Sequence, residues 1–191
     1  MIDQVAEKAA RWLIQYHPKG LSEFNVLKYG ISIATYTALS TLGLLLVGLL
    51  LGDLLSAIII IAVFYFNQTA GGGVHAKTHA GCFWTMVGFL SLAICLCRLQ
   101  LEDHIKLCIG SIAVVALFLM PVILHDKRAH LSERLPVFTR INRVCVLCEA
   151  MALAILYGIR CLPSAYVYAL ALSALSRLVA WGLKSHKLKI Q

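Results

Sequence analysis

From Tyr29 to Leu51 the chain runs for 23 residues without one charged side chain. About 20 apolar residues in helical form cross a hydrocarbon layer roughly 30 Å thick. Within lipid, every backbone N–H and C=O must find its partner inside the protein, and a helix satisfies that demand by itself. Five more apolar runs follow, at Leu54–Phe66, Cys82–Cys97, Leu107–Leu124, Val144–Ile159 and Leu162–Leu183. The first of these is short. Uncharged sequence continues through its glycines to Val74, so by length it reads either as a span or as a re-entrant segment.

Residues 2–16 place Ile2, Val5, Ala6, Ala9, Trp12, Leu13 and Tyr16 at helical spacing opposite Asp3, Gln4, Glu7, Lys8, Arg11 and Gln15. That pattern fits a helix lying in the membrane interface, or one packed on other protein. Charges throughout residues 1–28 make a cleavable signal peptide unexpected. The whole chain is 60% hydrophobic and only 14% charged, where a soluble domain is about half apolar and a quarter charged. The expected fold is therefore all-α. It is a polytopic integral membrane protein of about six transmembrane helices plus an N-terminal amphipathic helix. It forms one domain over 1–191, with an interfacial segment 1–28 and membrane helices within 29–183.

Lysine and arginine placement gives an orientation. With the amino terminus inside, the inner segments 1–28, 67–81, 125–143 and 184–191 hold thirteen basic residues, against Arg98, Lys106 and Arg160 outside. The positive-inside rule then puts both termini, and the segment 67–82, on the cytoplasmic side. The net charge of +8 suits anionic lipid or an acidic peptide.

The segment Phe66–Phe83 concentrates the reactive side chains: three consecutive glycines (Gly71, Gly72, Gly73), His75, Lys77, His79 and Cys82. Glycines in a row disfavour a helix interior and suit a turn or a close approach. His75 and Cys82 supply a base and a nucleophile. In one continuous helix their seven-residue separation would leave them roughly 10 Å apart along the axis, whereas a working pair needs about 3 Å. The chain between them must therefore bend, with Gly81 as the expected place. Cys82 would then occupy the first turn of the next helix, where unpaired N–H groups and the macrodipole favour a thiolate.

Other residues carry weaker signals. His75 and His79 have the spacing of two zinc ligands on a helix, but the motif lacks its glutamate and a third ligand, so no metal or other cofactor is expected. The remaining six cysteines lie in or beside apolar runs and read as small hydrophobes. Glu149 and Arg177 interrupt the last two runs; charges at that depth need partners, and their pairing with each other is the expectation, a supporting or substrate-binding place beside the active site the alternative. Gln68 is a candidate oxyanion donor. Lys77 is a surface anchor or a carboxylate contact.

The string Gly72-Gly73-Val74-His75-Ala76-Lys77-Thr78, followed by Cys82, resembles the active-site segment of the accessory gene regulator B (AgrB) family of membrane cysteine endopeptidases. The resemblance implies catalytic roles for His75 and Cys82 and a functional glycine at Gly73. Just upstream, where the family usually carries one or two arginines, this chain has Gln68 and Thr69. It further implies an AgrD-type quorum-sensing propeptide as substrate. Its acidic C-terminal tail would be removed through a thioester on Cys82, so that a thiolactone or lactone ring can form. A bacterial cell membrane is the implied location, membrane lipids the other partner, and nucleic acid none; a homodimer is the oligomer considered. The alternative is a small transporter or channel, with a glycine-broken helix and a polar path lined by His75, His79, Glu149 and Arg177.

Overall fold

A computed structural model describes residues 7–13, 24–73, 78–123 and 135–188. Among them are seven helices: α1 (residues 7–13), α2 (Phe24–Leu50), α3 (Leu54–Gly71), α4 (His79–Cys97), α5 (Asp103–Leu119), α6 (Leu135–Gly158) and α7 (Ser164–Leu188). The protein is an all-α, multi-pass membrane protein. Each of the six apolar runs forms a helix. Five of these helices are long and apolar enough to cross a membrane. The sixth, α5, has 17 residues, or about 25 Å at 1.5 Å per residue, short of a full hydrocarbon core. Leu54–Phe66 is no short re-entrant piece, because its helix continues through Gln68 to Gly71.

The chain forms two compact units, Met1–Leu46 and Val47–Gln191. In the first, Glu7 of α1 accepts from Arg11 and from Lys28 at the start of α2, each at 2.8 Å. The hydrogen bond from Lys28, then that from Arg11, lowers the Glu7 carboxyl to about 2. Arg11 also stands 5.8 Å over the Phe24 ring. Trp12 and Leu13 are exposed while Ala10 is buried, so this short stretch presents apolar surface outward.

In the second unit, the α2–α3 connection is tight. Gly52 turns the chain at φ +77°, and Asp53 caps α3 by accepting from the Ser56 amide at 3.0 Å. A Cβ at Gly48 would collide with that of Ala57. The buried stripe of α3, namely Ala57, Ile60, Ile61, Phe64, Asn67, Ala70 and Gly71, repeats at the three- and four-residue steps of one helical face.

That face packs against α7, which also contacts α4 and α5, while α6 closes on α3 and α5. In α7's apolar span 61% is buried, against 11–39% for the other four spans. The sequence of α7 explains its central place. Ala165, Ala169, Ser173 and Ser176 put small side chains along it, and small residues let helices approach closely where lipid supplies no hydrophobic drive.

Candidate active site

Three glycines at the end of α3 have three different physical reasons. Gly71 is the last helical residue, and a Cβ there would overlap the Arg177 guanidinium and meet Asn142 Oδ1. Gly72 adopts φ +74°, a conformation that L side chains rarely take, and a Cβ there would collide with the Ile123 carbonyl. Its amide donates back to the Gln68 carbonyl at 3.0 Å, closing the helix. Gly73 is buried, and a Cβ there would stand 2.9 Å from Ser176 Oγ and 3.1 Å from Gln68 Nε2. The backbone needs glycine at each step for a turn or a close approach.

The segment following α5 holds this turn from one side. Met120 leaves helical geometry at ψ 140°, Pro121 follows, and the Ile123 amide donates to the Gly71 carbonyl at 3.0 Å. Between Phe118–Val122 and the first turns of α6 lies a cavity of about 280 Å³, with Thr139, Asn142 and Arg143 on its α6 wall. Arg143 sits 5.8 Å over the Phe118 ring at its edge. Asn142 is 2% exposed, lines this cavity, and has its Oδ1 beside Gly71.

On the far side of the turn, Thr78 is extended and caps α4, its Oγ1 accepting from the Gly81 amide at 3.1 Å. The Cys82 amide donates to the Thr78 carbonyl at 3.0 Å, so Cys82 is the residue that completes the first turn. It is a half-buried free thiol. The expected first-turn position is thus where Cys82 stands, but Gly81 is not the bend. The helix begins two residues earlier, at His79, because the Thr78 hydroxyl satisfies an early amide that would otherwise be orphaned. Thr78 stands extended directly before His79, so α4 does not run back through it. His75 and Lys77 lie outside the described residues, as does the side chain of His79.

Glu149 and Arg177 are both buried, at 6% and 0% exposure, but they form no ion pair among the described residues. The two interact electrostatically without a direct salt bridge. Asn67 of α3 stands between them. Its side-chain amide donates to Glu149 Oε1 at 2.6 Å, and its backbone carbonyl accepts from Arg177 Nη2 at 3.3 Å. Arg177 Nη1 donates to the Leu117 carbonyl at 3.0 Å, and Tyr166 O–H donates to the Glu149 carbonyl at 3.0 Å. Glu149 Oε2, Asn142 Oδ1, Ser173 Oγ and Arg177 Nε are buried without a hydrogen-bond partner among the described residues.

The structure therefore brings Gln68, Gly73 and Arg177 to one end of the bundle, with Glu149 joined to Arg177 through Asn67. Sequence reasoning missed Asn67, Asn142 and Ser176. A signal existed for one of them: Asn142 precedes Glu149 by seven residues, with Val146 between, on the single buried face of α6.

Across residues 6–183 the chain matches the sequence model of a family described as accessory gene regulator B. No curated protein and no solved structure matches it.

Proposed function

This chain belongs to the accessory gene regulator B family, a quorum-sensing family, and on that premise we propose that it is a membrane cysteine endopeptidase acting on a short AgrD-type propeptide. Cys82, as thiolate, attacks the backbone carbonyl before the peptide's C-terminal tail. His75 takes the thiol proton and then returns it to the departing amine, the general Cys–His scheme. The C–N bond breaks, the tail leaves, and the amino-terminal fragment stays on Cys82 as a thioester. A cysteine or serine of the peptide then attacks that thioester, forms the ring, and regenerates the Cys82 thiol.

The observation that carries this reading is the start of α4. Cys82 completes a capped first turn, only nine residues after the glycine turn at Gly73 and with His75 in the connecting segment. The cavity between α5 and α6 abuts the same turn through Asn142, and we assign it to the peptide flanking the scissile bond. Gln68, Gly73 and Lys77 are proposed as supporting or substrate-contacting residues. We place the catalytic segment and both termini on the cytoplasmic side, from the distribution of basic residues; there a reducing environment keeps Cys82 a free thiol.

A second reading, a small transporter, draws on the buried Glu149, Asn67 and Arg177 inside the bundle, since intramembrane polar groups mark ion and substrate paths. The separating experiment is co-expression with the short open reading frames beside the gene, with a tagged peptide followed by gel shift. The peptidase loses processing on Cys82→Ala at unchanged abundance. A transporter does not depend on that thiol.

A further inference from the structure

Leu117 stands four residues before Pro121. Proline has no N–H, so the Leu117 carbonyl has no donor within α5. Arg177 Nη1 supplies one at 3.0 Å. The neighbouring Nη2 donates at 3.3 Å to the Asn67 carbonyl, which lies in the last turn of α3. A single guanidinium, from the middle of a third helix, thus supplies the missing donor at the end of α5 and an additional donor to a carbonyl at the last turn of α3. Helix C-termini carry partial negative charge, which adds to the nearby Glu149 in holding Arg177 at 0% exposure.

The same guanidinium occupies the space that any side chain at position 71 would fill. Directly after that contact the chain turns at Gly72, with φ +74°, and enters the segment that carries His75. We propose that Arg177 is the positioning residue of the catalytic segment: its two-carbonyl fork ties the last turn of α3 to the end of α5 and, packed on Gly71, fixes the direction in which the chain leaves α3. The inference rests on the reading of His75 and Cys82 as one nucleophilic unit. Lysine keeps the charge but not the planar fork, so Arg177→Lys separates positioning from charge.

The test uses the full chain in phospholipid vesicles with iodoacetamide as probe, and Cys82 modification is read by mass spectrometry from pH 5.5 to 9.5. A thiol paired with His75 reacts well below the free-thiol range near 8.5. Arg177→Lys is expected to slow Cys82 alkylation about tenfold at pH 6.5, as expected for a thiolate fraction returned to that of an unassisted thiol. Its profile should move upward onto that of His75→Ala while its melting temperature stays near wild type. Gly71→Ala, which displaces the guanidinium, should shift the profile in the same way and carries the test if Arg177→Lys does not accumulate. A wild-type profile in these variants, or slower labelling accounted for wholly by lost folded protein, overturns the inference alone. Equal profiles for wild type and His75→Ala overturn the Cys–His reading and the inference together.

Discussion

The Asn67 side chain donates to Glu149 Oε1 across 2.6 Å in the buried centre of the Val47–Gln191 unit. Leaving a buried acceptor without its hydrogen bond costs about 1–3 kcal/mol. Asn67→Leu should therefore destabilise by about that amount, because it leaves the carboxyl with no partner. Glu149→Gln, which keeps an acceptor, should cost less. Double-mutant cycles on thermal unfolding in detergent should give a larger coupling for Asn67 with Glu149, which share a short hydrogen bond, than for Glu149 with Arg177, which interact without one. Equal or reversed couplings would mean that the charge pair, not the Asn67 hydrogen bond, dominates this buried group.

Gly72 and Gly88 should respond oppositely to alanine. At Gly72 the backbone is left-handed and a Cβ meets the Ile123 carbonyl, a combination of strain and overlap that costs about 1–3 kcal/mol. At Gly88, inside α4, a Cβ meets nothing within 4 Å, and alanine in place of glycine there gains up to about 1 kcal/mol of helix propensity. Melting temperatures of the two variants, measured side by side, check this. A neutral Gly72→Ala would contradict the close packing of Ile123 on the glycine turn.

How much of this was legible in the sequence depended on whether the cause was local. The six apolar runs announced six helices because lipid burial acts on every residue of a span. Their ends were less legible. Helix α6 already covers Leu135, nine residues before the apolar run at Val144, and carries Arg140 and Arg143 on helical turns, because a helix's backbone hydrogen bonds do not depend on apolar side chains. The three glycines signalled a turn or close approach, and that much was readable. What they approach was not: Ile123, Asn142, Ser176 and Arg177 come from three other segments, and nothing near Gly71 in the chain names them. Asn67 escaped notice for the same reason, lying 82 residues from the carboxylate it binds. Thr78 was the missed local signal. Its hydroxyl starts α4 ahead of Gly81, so the bend falls upstream of where glycine alone suggested.

The tie between α1 and α2 should survive acid. Glu7 is lowered to about 2 from an ordinary value of 4.5 by its bonds to Lys28 and Arg11. A depressed carboxyl contributes its stabilisation fully above the unfolded value and loses it as pH falls through the folded one. Trp12 fluorescence, recorded with Trp84 and Trp181 replaced by phenylalanine, should therefore change with a midpoint near pH 2 in the native chain. In Glu7→Gln that transition should be absent. A midpoint at the ordinary carboxylate value would show that Lys28 does not hold Glu7.

The proposed chemistry leaves one covalent trace. Vesicles holding the chain and its tagged propeptide, quenched in acid within the first turnover, should yield a Cys82 peptide heavier by the propeptide's amino-terminal fragment without its tail. Hydroxylamine should release that adduct, as a thioester requires, and His75→Ala should prevent its accumulation. Complete tail removal by a Cys82→Ala chain, with no adduct on any other residue, would contradict the account at its centre.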